Sequence, residues 1–342
     1  MHANLLHVVG VYSNARRFQS RIRLLREWIA HMLDSGVQLT VVEHAFGERP
    51  YELDPDDPAL RHVRIVQVRG GSEQEIWLKE GLVNLGFSHL PEDAKYLCWE
   101  DADIRHVRAD WASETVHMLQ HCRVGQTWSH SMDLGPKGEC LTNEWGHDID
   151  RSFCAAWLAG DVDMPNDGYG PGRLSRALLT NPRTQKDWRQ HYGYSWAIRR
   201  DALQGIGRLI DWMVTGSADY HMALGFCGKL LSVTERELAD QRMRPLSKGY
   251  IRRLREFAQR CEIHIKQDIG CVQGSVLHGF HGPKRNRFYI SRKDILIESG
   301  FDPDIDLAQD IHGLPVLVSD NRLLRDGLRR YHIQRNEDSI DV

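Results

Sequence analysis

Three carboxylates stand together in Glu100-Asp101-Ala102-Asp103, directly after the apolar run Tyr96-Leu97-Cys98-Trp99. A short apolar run bounded by charge reads as a buried strand. Unpaired carboxylates are costly inside such a strand, so they belong at its end, within reach of water or a cation. Residues two apart on an extended chain point the same way, which lets Asp101 and Asp103 approach one ion while Ala102 turns aside. Such a pair suits a hard divalent cation whose shell is completed by substrate phosphates. A solvated acidic turn gives the same short pattern, so the metal reading needs partners from elsewhere in the chain.

A second dense cluster, Gly274 to Arg292, offers them. His278 and His281 are followed closely by Lys284, Arg285 and Arg287. Imidazole completes a carboxylate-bound transition-metal site more readily than a purely magnesium one. Gly279 and Gly282 let the backbone come close to a ligand. Lys284 and Arg287 can neutralise a diphosphate. Two further residues stand out. Lys79 lies in Ile76 to Leu85, which reads as a helix. Asp219 follows Gly216-Ser217-Ala218, a turn that predicts a helix start with a carboxylate in its first turn, where the dipole favours it. A plain N-terminal cap is the alternative role for Asp219.

These residues need a scaffold, and the first hundred residues outline one. Leu5 to Tyr12 reads as a strand. Ser13-Asn14 offers a cap for a helix over Arg16 to Leu33, and Val37 to Glu43 reads as a second strand. Strand–helix–strand order predicts a parallel α/β sheet. Ligands of such sheets bind outside the carboxyl ends of the strands. That edge gathers Tyr12, Ser13 and Glu43 with Asp101 and Asp103. His62 to Val68 and Val124 to His130 read as further strands, and a helix is predicted to start near Ala109-Asp110. Residues 133–190 are aperiodic and read as a binding loop, with Trp145, Trp157 and Trp188 arguing against plain disorder. Glu235 to Arg260 reads as a basic helix with an apolar stripe at Ile251, Leu254 and Phe257. Its positive face is either solvated or a seat for an anionic acceptor. A second basic helix is predicted around Leu323 to Tyr331.

Composition excludes several classes. The net charge of −3 over 342 residues gives no global field toward nucleic acid or membrane. No apolar run is long enough to span a bilayer, and the N-terminus lacks signal-peptide character. Seven scattered cysteines without a CxxC pair argue against structural zinc and for a reduced, cytoplasmic compartment. No GxGxxG follows the first strand and no GxxxxGK[ST] occurs, which disfavours a dehydrogenase and a P-loop kinase.

Several segments together carry a family resemblance. They are Ile76-Trp77-Leu78-Lys79-Glu80, Trp99 to Ile104, Trp196-Ala197-Ile198-Arg199-Arg200, Gly216 to Asp219 and Leu277 to Tyr289. Over most of the chain this pattern resembles glycosyltransferases of the GT-A fold, and more narrowly phage and bacterial glycosyltransferase-like proteins. The resemblance implies an α/β fold with a Rossmann-like, mostly parallel sheet flanked by helices. Residues 1–234 would form the nucleotide-sugar-binding core. Residues 235–342, a basic helical extension with the His-Gly loop, would complete the same domain.

The roles it implies are as follows. Asp103 would be the main ligand of Mn2+ or Mg2+. Asp101 would reach the metal through water, or the sugar and ribose. His281 would be the third protein ligand, with His278 as substitute. Lys284 and Arg287 would hold the diphosphate of a nucleotide-sugar, a UDP-sugar above all. Tyr12, Ser13 and Glu43 would hold the nucleoside, with Lys79 beside them. Asp219 matches the general base of inverting members. Glu100, which departs from many relatives, would be a strand-edge carboxylate. The acceptor is left open between a 5-hydroxymethylpyrimidine in phage DNA and a cell-surface or lipid-linked glycan. A base in DNA would be stacked by the aromatic loop 145–194, and the DNA phosphates tracked by the basic helix 242–260, with Arg242 and Arg244, and the tail. A metal-dependent nucleotide or phosphodiester hydrolase is the reading from another class.

Overall fold

The computed structural model describes residues 2–142, 148–161, 190–231, 246–289 and 291–341. The chain opens with β1 (Leu6–Ser13), α1 (Gln19–Asp34), β2 (Gln38–Phe46), β3 (Val63–Gly70), α2 (Lys79–Ser88) and β4 (Tyr96–Glu100). It continues through β5 (Ile104–His106), α3 (Trp111–His121), β6 (Val124–Gln126), β7 (His130–Asp133), β8 (Asp150–Ser152) and α4 (Phe153–Leu158). Next come β9 (Gln190–His191), β10 (Ser195–Arg199), α5 (Arg200–Ile206), α6 (Ala218–Phe226) and α7 (Lys248–His264). The last elements are β11 (Ile269–Cys271), β12 (Ser275–His278), α8 (Arg292–Glu298), β13 (Leu307–Gln309), β14 (Pro315–Leu317) and α9 (Arg322–Gln334).

Seven strands form the main sheet in the order β11-β6-β10-β4-β1-β2-β3. All neighbours run parallel except β10, which is antiparallel to both β4 and β6. The fold class is therefore the expected one, α/β with a mostly parallel sheet flanked by helices. Both faces are covered, which is why β2 is buried at every position after Gln38. One face is closed by α1 through Leu25, Trp28, Ile29 and Met32. The other is closed by α2 through Leu82, Val83 and Leu85.

A second sheet has the order β5-β12-β7-β8-β9. The chain crosses from one sheet to the other at Asp101-Ala102-Asp103, between the end of β4 and the start of β5. Two backbone bonds pin this corner. The Asp101 N–H donates to the Tyr194 carbonyl at 2.8 Å, and the Gly279 N–H donates to the Asp103 carbonyl at 2.7 Å. Segment 269–278 contributes β11 to the first sheet and β12 to the second.

Local boundaries depart from the sequence expectation for identifiable reasons. Helix α1 starts at Gln19 rather than after Asn14, because the Asn14 amide is used to close a turn on the Phe18 backbone, donating to its carbonyl and accepting from its N–H. Helix α2 starts at Lys79 rather than Ile76, because the Trp77 N–H donates to the Val214 carbonyl at 2.9 Å. The stretch 124–130 is divided between β6 and β7, which belong to different sheets. Helix α7 buries Ile251, Leu254 and Phe257 as the stripe required, while Arg252 and Arg253 of its basic face bond to Asp304 at 2.7 Å. Most of the aromatic loop 145–194, with Trp145 and Trp188, lies outside the described residues, as do Arg242 and Arg244.

Two glycines permit the close packing around this corner. A Cβ on Gly279 would lie 3.2 Å from the Asp103 carbonyl and 2.4 Å from Leu24 Cδ2. Gly282 has φ of +79°, and a Cβ there would meet the Asn336 carbonyl and Glu337 Cα at 2.9 Å. Gly282→Ala therefore combines a left-handed backbone with a backbone clash. It is expected to cost about 1–3 kcal/mol in urea unfolding.

Candidate active site

One pocket opens at the carboxyl ends of β1 and β4, where the parallel topology places a ligand. Its wall includes Tyr12, Ser13, Lys79, Asp101, Asp103 and Asp219, together with His278, His281 and Arg287. Glu43 and Lys284 are not on it. The Glu43 carboxylate is buried, accepting from the Glu52 and Leu53 N–H groups and from the Gln67 amide. The Lys284 ammonium is paired with Asp133.

The three carboxylates of the opening motif go to three different ends. Glu100 is the last residue of β4 and is 1% exposed. It accepts from Trp28 Nε1 and Ser195 Oγ, each at 2.8 Å, and meets His106 Nε2 at 2.9 Å. It is a satisfied core group. Asp101 pairs with Lys79, brought there by the first turn of α2. Burial raises the Asp101 carboxyl to about 6 despite the opposing pull of Lys79. Asp103 faces two imidazoles. Burial alone would raise its carboxyl, but His278 and His281 outweigh burial and hold it well below the usual range.

The arrangement of these three groups fits a cation. The His278 Nδ1 lies 2.8 Å from Asp133 Oδ1, whose other oxygen takes Lys284. A proton on Nδ1 leaves the Nε2 lone pair facing Asp103 Oδ2, 3.8 Å away. Burial shifts this imidazole below its ordinary range, with Asp103 and Asp133 opposing. His281 Nε2 stands 2.9 Å from the same Asp103 oxygen, with Arg287 Nη2 also 2.9 Å away. Its Nδ1 is 3.3 Å from Glu337 Oε2. One ligand atom from each of Asp103, His278 and His281 lies within 4.8 Å of the others, and Asp103 Oδ1 is buried with no partner. Electron-rich atoms converging around an orphaned carboxylate oxygen match a carboxylate–imidazole divalent metal site.

Asp219 stands in the first turn of α6 and its Oδ1 accepts from the Tyr220 N–H at 2.9 Å. Its Oδ2 lies against Gly193, where a Cβ would come within 2.8 Å. The cap residue Ser217 has φ of +74° and makes no side-chain cap bond. Its Oγ instead accepts from Arg292 Nη2 at 2.6 Å. Arg287 also donates to the Tyr289 hydroxyl at 3.2 Å.

Several wall residues carry no mark in the sequence. Behind the wall, Asp133 orients His278 through Nδ1 and Glu337 lies 3.3 Å from His281 Nδ1, yet nothing about either position in the sequence distinguishes it. Glu80, Arg21, Arg292 and Arg335 also line the pocket. Glu80 adjoins Lys79 in the segment Ile76 to Glu80, and that adjacency is the one available signal. Burial pushes the Glu80 carboxyl up to about 7, with Lys79 opposing and Asp219 adding to the rise. A raised folded-state value means that the folded protein binds the extra proton, so stability is greatest below the unfolded value and falls as pH rises through about 7. Glu80→Gln is expected to stabilise the protein by a few kcal/mol at pH 8 and to make little difference at pH 4, measured by chemical denaturation at both pH values.

No protein-family model matches the chain, and no curated protein matches it in sequence. Solved structures of similar shape were found at low identity. One is S. aureus TarS residues 1–349 in complex with UDP, 9% identical, covering 75% of this chain and 72% of that one at a TM-score of 0.37. Another is a 4-diphosphocytidyl-2C-methyl-D-erythritol synthase from Anaerococcus prevotii, 11% identical, covering 80% and 90% at a TM-score of 0.32. Likenesses this distant leave the site to be read from its own residues. Among the described residues, no helix is long and apolar enough to cross a membrane.

Proposed function

We propose that the chain is a metal-dependent glycosyltransferase that moves a sugar from a nucleotide-sugar, a UDP-sugar above all, to an acceptor hydroxyl. The observation that carries this reading is the convergence of Asp103, His278 and His281 around a buried, unpartnered carboxylate oxygen at the strand-end pocket. Asp103, His278 and His281 would hold a divalent ion such as Mn2+. When bound, such an ion supplies Lewis-acid stabilisation of a leaving diphosphate.

The chain's own residues do the remaining work. Arg287 is 8% exposed and next to the metal cluster, so its charge can meet the negative charge that develops on the leaving group. Lys79 holds Asp101 in place and adds a buried positive charge on the same wall. Tyr12 and Ser13, at the end of β1, flank the place where a nucleoside enters. Asp219 accepts the proton of the acceptor hydroxyl as that oxygen attacks, which makes transfer inverting if it acts from the face opposite the diphosphate.

A hydroxymethylated pyrimidine in phage DNA and a glycan are both acceptors that present such a hydroxyl. The Asp304 and Glu256 carboxylates already pair with Arg252 and Arg253 of α7, so a phosphate track cannot rest on those two. The proposal is tested by incubating the full chain with Mn2+ and a panel of nucleotide-sugars, following metal-dependent UDP binding and donor hydrolysis or transfer. No nucleotide binding across the panel would sink it. Phosphate release from free nucleotides without any sugar dependence would instead favour a hydrolase.

A further inference from the structure

Among the described residues, six cationic side chains line the pocket, and four of them lie against a carboxylate. Arg16 meets Glu75 at 2.9 Å, Arg21 and Arg335 both meet Glu337, and Lys79 meets Asp101. Arg287 and Arg292 have no carboxylate within 4.0 Å among the described residues. Both are buried, at 8% and 9% exposure. A buried charge is costly unless paired. Arg287 stands beside the metal cluster, where the transferase reading puts the donor diphosphate. Arg292 has no such assignment.

Arg292 opens α8 and reaches the pocket beside the Ser217 turn. Its Nη2 donates to Ser217 Oγ at 2.6 Å and its Nη1 to the Tyr331 hydroxyl at 3.2 Å. Its Nε is buried with no partner. Both partners are neutral hydroxyls acting as acceptors, so each keeps its own proton free to donate. The buried Tyr331 hydroxyl also accepts from Arg335 Nη1 at 2.9 Å, so it holds both guanidinium groups in place from behind the wall. Ser217 is two residues before Asp219 on the same turn. The uncompensated guanidinium therefore stands on the side of the pocket where the acceptor must present its hydroxyl.

We infer that Arg292, with Ser217, binds a phosphate ester carried by the acceptor next to its reacting hydroxyl. The inference rests on the transferase reading and names the acceptor's chemical class. A tetrahedral phosphate matches the site better than a planar carboxylate. The two terminal nitrogens each already donate once, to Tyr331 and Ser217, so an anion meets the remaining N–H groups and the Ser217 hydroxyl as separate donors, which suits an anion with three or more acceptor oxygens.

Titration calorimetry on the full chain, saturated with UDP and Mn2+ so that the donor place is filled, tests this with inorganic phosphate and glycerol 3-phosphate as probes. The expected result is binding of both probes that Arg292→Gln weakens by at least about tenfold, with UDP affinity kept within about twofold. Arg292→Lys keeps the charge but not the guanidinium's several N–H donors, and is expected to weaken the probes less than Arg292→Gln. It also reads the site if the glutamine variant does not fold. Equal probe binding by wild type and Arg292→Lys in that event, or by wild type and a folded Arg292→Gln, overturns the inference. So does a loss of UDP affinity in step with the probes, which would make Arg292 a donor residue. If UDP fails to bind at all, but phosphate binds and is lost in Arg292→Gln and kept in Arg287→Gln, the transferase reading fails and the anion site stands. UDP binding with no phosphate binding overturns the anion site and leaves the transferase reading in place.

Discussion

Asp103→Ala is expected to abolish tight Mn2+ binding and, with it, metal-dependent UDP binding, while the chain stays folded. Asp103 supplies the one carboxylate of the cluster, and its Oδ1 is the atom with no protein partner. Removing it leaves two imidazoles beside Arg287, whose positive charge then repels a cation. The expected loss in transfer rate is on the order of 10²–10³-fold, the size seen when one preorganised group facing a developing charge is removed. Manganese electron paramagnetic resonance and UDP titration read the binding directly, and circular dichroism checks the fold. Asp101→Ala should do less to the metal, because the Asp101 side chain is already committed to Lys79. If Asp103→Ala binds manganese as tightly as the wild type, the ion sits elsewhere and the cluster is structural.

Asp219→Asn is expected to lower kcat by about 10²–10⁴-fold while leaving UDP affinity unchanged. Asparagine keeps the shape of the side chain and can still accept the Tyr220 N–H through its carbonyl oxygen. What it loses is the ability to take a proton from an attacking hydroxyl. The split between kcat and donor binding is the informative part, because a purely structural role for Asp219 in the α6 turn would move both together. An unchanged kcat would exclude Asp219 as the base.

The order of strands and helices through β4 was legible because both faces of the main sheet are covered and leave nearly continuous apolar runs. The convergence of Tyr12, Ser13, Asp101 and Asp103 on one edge followed from that topology. The meeting of Asp103 with His278 and His281 could be anticipated from residue types alone, although 175 positions separate Asp103 from His278. Other features could not be read. Glu43 sits at a strand end like the others, but its carboxylate is used by the Glu52 and Leu53 amides of the following loop, and loop conformation leaves no periodic trace. Lys284 belongs to the basic run after His281, yet its charge is taken by Asp133, which lies in a stretch without helical or strand periodicity. Arg292 and Glu337 carry ordinary surface-type side chains. Their burial comes from the packing of α8 and the C-terminal turn around the pocket, a tertiary outcome that no local pattern encodes.

The C-terminal turn after α9 also governs when this pocket can exist. Glu337 bonds Arg21 and faces His281, while Asp338 accepts from the N–H groups of Gln19 and Ser20 at the start of α1. The contacts of Glu337 with Arg21 and of Asp338 with Gln19 and Ser20 join residues more than 300 positions apart. Contacts of such separation carry a large loop-closure cost and form late in folding. The imidazole of His281 thus gains its neighbouring carboxylate, Glu337, only once residues 335–341 have docked on α1. Undocking of residues 335–341 would release the Gln19 and Ser20 amides to solvent exchange in the same event that frees His281, so the exchange rates of those two amides are a direct clock for opening of the pocket.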